Sequence, residues 1–214
     1  MKKKVFIVDD HPVFCMGLSA LINQEDDFEV IGYSETVLDA LTRIPKIKPD
    51  VVTVDISLKG ENGLVIVAEL KKNHKNIPVL VLSMHPETIF AERAIKAGAK
   101  GYVMKQESPK IISEALRTIL SKKIYVSAPI NERFLNNISD CDGYFNEDSP
   151  LERLTVREME ILELIGRGLT TKEIALRIHV SPKTVGNHRE NIKKKLNLQN
   201  INELMLYAAR FTGL

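Results

Sequence analysis

Five short apolar runs, at residues 5–8, 28–32, 51–54, 79–82 and 101–104, constrain this chain more than any other feature. They are rich in Val and Ile, and several are apolar without alternation, as strands buried on both faces of a sheet must be. Between them lie segments with helical spacing, such as Leu64, Val67, Ala68 and Leu70, or Ile111, Ile112, Ala115, Leu116 and Ile119. Pro49, Pro78, Gly98 and Gly101 punctuate the junctions, and Ser108-Pro109 reads as an N-cap with proline at the first helical position. Five strands alternating with helices through residue 123 predict an α/β domain with a doubly wound parallel sheet.

The ends of these runs carry the chemistry. The first delivers Asp9 and Asp10, the third Asp55, the fourth Ser83 and the fifth Lys105. In an open parallel sheet, ligands collect at the carboxyl ends of the strands, at the topological switch point. With the flavodoxin-like strand order 2-1-3-4-5, the three carboxylates converge there, flanked by Ser83 and Lys105. Three carboxylates in one crevice repel one another unless a cation is present. Oxygen ligands of this kind favour Mg2+. A carboxylate beside such an ion can attack a phosphoryl group and form an aspartyl phosphate. Lys105 would pair with one phosphoryl oxygen, and the Ser83 hydroxyl would bond another.

The stretches Val8-Asp9-Asp10-His11-Pro12, Val54-Asp55-Ile56-Ser57, Leu82-Ser83 and Gly101-Tyr102-Val103-Met104-Lys105 resemble the signatures of bacterial receiver domains, in the right order across residues 1–123. The resemblance implies that Asp55 is the phosphate acceptor. It implies that Asp10, Asp55 and the backbone carbonyl of Ser57 ligate Mg2+, with Asp9 contributing directly or through water. It also makes Ser83 and Tyr102 a switch pair, in which the hydroxyl is drawn to the phosphate and the ring rotates inward behind it. Two positions depart from the pattern, Lys59 and Gln106, where many receivers have proline.

Charge is distributed unevenly. Residues 127–150 carry 1 basic and 5 acidic side chains, whereas residues 151–214 carry 11 basic and 7 acidic. Pro129, Gly143, Pro150 and several Asn and Asp mark residues 124–150 as a linker, with a short helix expected near 132–138. Residues 151–214 hold no strand-like run. Thr155 with Glu158, Thr170 with Glu173 and Asn200 with Glu203 have capping-box spacing, and Ser181-Pro182-Lys183 opens a further helix. An all-α four-helix domain is expected. Ile174, Ala175, Ile178, Val180 and Val185 form the inner face of two helices crossing at a tight turn, the helix-turn-helix arrangement.

Leu154-Thr155-Val156-Arg157-Glu158, the run from Gly168 to Ala175, Val180 to Val185, Asn187-His188 and Lys195-Leu196 resemble the LuxR-type DNA-binding domain. Joined to a receiver, this is similar to the NarL/FixJ family of transcriptional regulators. Lys172, Lys183, Thr184, Arg189 and the group Lys193, Lys194 and Lys195 are placed to meet DNA phosphates, and His188 either packs, caps or meets phosphate. Gly186, Asn187 and Glu190 are the base-facing positions. Asn187 suits adenine and Glu190 suits cytosine N4. Gly186 costs the helix about 1 kcal/mol relative to Ala, so either the backbone approaches DNA closely there or nothing is read. The resemblance implies dimerisation through the last helix, 202–211, with Leu204 and Ala208 as the dimer residues.

No apolar run approaches the roughly 20 residues that cross a bilayer, and the basic N-terminus lacks the apolar core of an export signal. Cys15 and Cys141 have no metal-ligand spacing. A cytoplasmic protein with no membrane partner is expected. The combined reading is a two-component response regulator, not an enzyme apart from Mg2+-dependent self-phosphorylation and dephosphorylation at Asp55. Its expected partners are a sensor histidine kinase or small phosphodonor, double-stranded promoter DNA, a second copy of itself and RNA polymerase. One alternative is a receiver acting through protein contacts. Another is a phosphatase of the haloacid dehalogenase type, but such enzymes want a second Asp two residues after the nucleophile, where this chain has Ser57.

Overall fold

A computed structural model of the protein describes residues 1–139 and 150–212. The chain divides into two compact units, Met1–Gly143 and Tyr144–Leu214. In the first, β1 (Lys3–Val8), β2 (Phe28–Ser34) and β3 (Val51–Asp55) precede a two-residue antiparallel hairpin, β4 (Ser57–Leu58) and β5 (Glu61–Asn62), and then β6 (Val79–Ser83) and β7 (Gly101–Met104). Among the described residues five strands form one parallel sheet in the order β2-β1-β3-β6-β7. With the hairpin set aside this is the expected 2-1-3-4-5.

The central strands show why. Every residue of β3 and β6 is buried, so neither face can meet water and helices must cover both. The helices are α1 (Pro12–Asn23), α2 (Val37–Ile47), α3 (Leu64–Asn73), α4 (Glu87–Ala97) and α5 (Pro109–Leu120). Cys15, Leu18 and Ile22 of α1 and Ile112, Ala115, Leu116 and Ile119 of α5 pack on Val5, Ile7, Leu80, Leu82 and Val103 of the sheet. Each Val, Leu or Ile side chain among them contributes roughly 1.5–3 kcal/mol on burial. Proline stands at the start of α1 and α5, although Ser108 caps α5 by backbone conformation without a side-chain hydrogen bond.

The linker differs from the sequence reading. After α5 the chain returns to the sheet, where Tyr125 makes a parallel bridge to Gly101 on the edge of β7. It then forms α6 (Ala128–Ser139), longer than the expected helix and packed against α4 with Ile130 buried. Proline is tolerated in a first helical turn, where its missing N–H has no intrahelical partner to lose. Pro129 therefore starts this helix and does not break it. The acidic remainder of the linker, 140–149, lies outside the described residues.

In the second unit a 3-10 turn (Pro150–Arg153) leads to α7 (Val156–Gly166), α8 (Thr171–Arg177), α9 (Pro182–Lys195) and α10 (Ile201–Thr212). Capping boxes at Thr155/Glu158 and Thr170/Glu173 are both complete. At the third, Glu203 N–H donates to Asn200 Oδ1 at 3.0 Å, while the Glu203 carboxylate takes the Asn200 side-chain amide and the Gln199 N–H. Between α8 and α9 the chain turns through His179 in the left-handed region, φ 55°, and Val180 N–H donates to Ala175 O at 3.0 Å. Ile174, Ala175, Ile178 and Val185 are buried on the inner face, with Val180 half-buried. Among the described residues no helix is long and apolar enough to cross a membrane.

Candidate functional site

The parallel register carries β1, β3 and β6 to one edge, and their last residues meet there. Lys105, just past β7, places its Nζ 2.6 Å from Asp9 Oδ2 and 2.7 Å from Asp55 Oδ2. The same ammonium lies 4.6 Å from the centre of the Phe14 ring, which α1 supplies. Asp9 and Asp55 are buried, and Asp10 is half-buried at the rim. Ligand atoms of Asp9, Asp10, His11 and Asp55 all lie within 4.8 Å of one another. The His11 ring nitrogen is 2.9 Å from Asp10 Oδ1 and 3.2 Å from Asp9 Oδ1. Asp10 Oδ1 is nevertheless a buried oxygen with no hydrogen bond in acceptable geometry. An orphaned carboxylate oxygen beside two more carboxylates suits a hard cation.

Burial pushes the Asp55 carboxyl up to about 6, against the opposing pull of Lys105. Burial works to lower the Lys105 ammonium, but the Asp55 and Asp9 carboxylates outweigh it and its pKa ends above the usual lysine value. One cation thus balances two buried anions. Burial, with Asp9 next, raises the Cys15 thiol beneath the pocket to about 11, so it stays protonated.

The loops around Asp55 are shaped by backbone groups. Ser57 N–H reaches Asp55 Oδ1 at 3.3 Å, and Lys59 N–H donates to Asp10 Oδ2 at 2.8 Å. Lys59 has φ 45°, a conformation closed to proline, which also lacks the N–H. This departure therefore gives the loop its own path. Gly63 is required for contact, since a Cβ there would fall 1.9 Å from the Asp55 carbonyl oxygen. The Ser83 hydroxyl is buried and accepts from His85 N–H at 3.1 Å. The Tyr102 ring already lies inward, 1% exposed, with its hydroxyl donating to His85 O at 2.8 Å. The ring thus occupies the inward position of the expected switch pair. His85 also joins the two loops through its ring, 2.8 Å from Ser57 Oγ, and stacks on Phe90 at 4.6 Å. Sequence reasoning assigned no role to Phe14, Gly63 or the Ser57–His85 pair. His85, two residues past Ser83, was the one available signal.

On the second unit, Lys183, Asn187, Glu190, Asn191 and Lys194 are exposed along one face of α9, opposite buried Val185 and Ile192. Lys172 is exposed on α8, and Thr184 is half-buried while its N–H donates to the Ser181 cap at 3.0 Å. Arg189 is not a free phosphate ligand. It is half-buried and its guanidinium bonds Thr171 Oγ1, tying α9 to the start of α8. Lys195 pairs with buried Glu158 at 2.7 Å, and Lys193 with Glu190 at 2.9 Å. Of the basic trio only Lys194 is exposed. His188 is half-buried, and its Nδ1 is buried without a partner. The dimer residues are also corrected: Leu204 and Ala208 are both 0% exposed, because they close the core, where α10 packs against α7. The exposed apolar side chains of α10 are Ile201, Met205 and Leu206.

Residues 5–117 match the family model of the response regulator receiver domain, and residues 152–208 match that of bacterial regulatory proteins of the luxR family. Oxygen regulatory protein NreC of Staphylococcus epidermidis is 33% identical over 211 residues, covering 97% of each chain. The chain is a NarL/FixJ-family response regulator. NreC of Staphylococcus carnosus, also 33% identical, matches the regulator over 213 residues. Among solved structures, RcsB of Salmonella enterica serovar Typhimurium bound to promoter rprA in the presence of phosphomimetic BeF3- is 26% identical, covering 98% of this chain and 99% of that one, with a TM-score of 0.59. The response regulator ChrA of a heme-sensing two-component system is also 26% identical, with 99% and 98% covered and a TM-score of 0.52. The regulator thus joins a receiver domain to a LuxR-type DNA-binding domain in a two-component system that controls transcription.

Proposed function

We propose that Asp55 is the phosphoryl acceptor and that its modification controls sequence-specific binding of promoter DNA by α9. The observation that carries this reading is the buried ion triad: one Lys105 ammonium within 2.7 Å of both Asp9 and Asp55. Such a triad can exchange a carboxylate for a phosphoryl group without stranding charge. Asp55 attacks phosphorus of a kinase phosphohistidine or of acetyl phosphate, and the donor leaves with the bond's electron pair. Mg2+ held by Asp9, Asp10, Asp55 and the Ser57 carbonyl would supply charge neutralisation at the phosphoryl oxygens. Lys105 then pairs with a phosphoryl oxygen, and the Ser83 hydroxyl, whose oxygen accepts from His85 N–H, donates its hydrogen to another. The chemistry is confined to this self-phosphorylation and its hydrolysis.

On DNA, Lys172, Lys183 and Lys194 meet phosphates, with Thr184 at the helix start. Asn187 and Glu190 face bases. Two copies binding paired half-sites would join through Ile201, Met205 and Leu206, an exposed apolar face that monomeric α10 leaves uncovered. This reading places the regulator in the cytoplasm, with RNA polymerase as a further contact. The test is selection of bound sequences from random duplexes, followed by gel shifts with acetyl phosphate and Mg2+. Phosphorylated protein should bind more tightly and Asp55→Asn should not respond. Equal response by the Asn variant would end the proposal.

A further inference from the structure

Residues 125–127 are bound to both parts of the switch. Tyr125 N–H donates to Lys100 O at 2.9 Å, and its carbonyl accepts from Tyr102 N–H at 2.9 Å. Glycine at 101 eases this approach: a Cβ there would lie 3.0 Å from Tyr125 O and 2.9 Å from Leu80 Cδ1. Ser127 N–H then donates to Glu87 Oε1 at 2.8 Å. Glu87 opens α4, four residues after Ser83. Ser127 caps α6 by backbone, its carbonyl accepting from Asn131 N–H at 2.9 Å. A single carboxylate therefore lies in the first turn of α4 and against the N-terminus of α6. Both are places where the helix dipole favours negative charge and where N–H groups lack intrahelical partners.

We propose that residues 125–127 form a strap reporting the state of the switch to the linker helix α6, with the Glu87 carboxylate as its releasable end. The proposal rests on Asp55 being the acceptor. The two bonds of Tyr125 belong to the sheet edge and stay with β7. The Glu87 bond instead hangs on the loop that must move. In turning to donate its hydrogen to a phosphoryl oxygen, the Ser83 hydroxyl draws with it the loop it holds through the His85 N–H, so residues 84–86 shift. Only those residues separate Ser83 from α4, so Glu87 is carried along and Ser127 N–H loses its partner. The start of α6 then frays, and the chain beyond it leads to the DNA-binding unit.

The experiment uses full-length protein, Glu87→Ala and Glu87→Gln, with and without acetyl phosphate and Mg2+. Phosphate-affinity gels follow Asp55 modification, and hydrogen exchange follows residues 124–131. All three proteins should be phosphorylated at the same rate. In wild type, exchange of this segment should rise on phosphorylation. In Glu87→Ala it should be fast in both states, by roughly tenfold or more at Ser127, as loss of a bond to a charged acceptor implies. Glu87→Gln, whose amide oxygen can still accept, should stay near wild type. Unchanged exchange in wild type whose Asp55 is visibly modified overturns the strap and leaves the acceptor reading standing. So does a wild-type response in Glu87→Ala. Absence of modification at Asp55 overturns the acceptor reading, and the strap's role as a reporter falls with it.

Discussion

The acid pocket of the receiver and the outer face of α9 are opposite kinds of functional surface. In the pocket almost every polar atom is already answered: Lys105 by Asp9 and Asp55, Asp10 Oδ2 by Lys59 N–H, Ser83 by His85. On α9, Lys183, Asn187 and Lys194 stand exposed, and among the described residues their side chains have no hydrogen-bond or ion-pair partner within the protein. A site completed by its own chain shows its chemistry in the free protein. A surface completed by DNA shows only where contact occurs. The pocket can therefore be tested by stability and pH, and the helix face only by binding.

The largest expected effect is at Asp55. Asp55→Asn should abolish phosphoryl transfer from acetyl phosphate, read as loss of the mass of one phosphoryl group by intact-protein mass spectrometry. The same substitution tests the electrostatics. The folded carboxyl titrates at about 6 and the ordinary value is 3.8, so between these the folded chain holds a proton that the unfolded chain has released. Stability of the Mg2+-free protein should therefore fall as pH rises through that window and level off above it, a loss on the order of 3 kcal/mol. Urea melts across the range should show this slope in wild type and a flatter one in Asp55→Asn. A slope of the opposite sign would mean that the pocket holds Asp55 ionised. Lys105→Met should cost about 3–5 kcal/mol at neutral pH, because two buried carboxylates lose their common cation. Part of that loss should return on acidification.

The strand order and the convergence of Asp9, Asp10, Asp55, Ser83 and Lys105 were legible because each rests on a local signal. Non-alternating Val and Ile runs demand a sheet covered on both faces, and the residue ending each run inherits the same edge. Contacts made across the fold left no such signal. Ser57 and His85 are 28 residues apart and meet only in space. Tyr125 looks like a linker residue until the bare edge of β7 needs its N–H and carbonyl. Leu204 and Ala208 were assigned to a dimer through the family resemblance, which names the helix but not which of its apolar side chains the domain's own core takes up. Lys195 and Arg189 read as DNA ligands by charge, yet each spends its cation on an internal partner, Glu158 or Thr171.

That division sharpens the α9 predictions. Asn187→Ala should lose about 1–3 kcal/mol at one base position and relax preference there. Lys183→Ala should weaken all sequences alike and lower the salt slope by about one. Titrating the selected duplex and its single-base variants at several salt concentrations separates the two. Equal loss on every sequence for Asn187→Ala would remove it from the base-reading set.

Gly186→Ala has the smallest expected effect and bears most directly on the comparison. A Cβ at Gly186 would meet nothing within 4 Å, so no contact inside the protein requires glycine there. Alanine should therefore stabilise α9 by up to about 1 kcal/mol, the ordinary propensity difference in a helix interior. If the glycine exists to let the helix backbone close on a base or sugar, the same methyl must be accommodated in the complex. The variant should then melt higher and bind the selected DNA more weakly. A rise in melting temperature with unchanged affinity would mean that nothing is read at this position. The recognition face would then begin at Asn187.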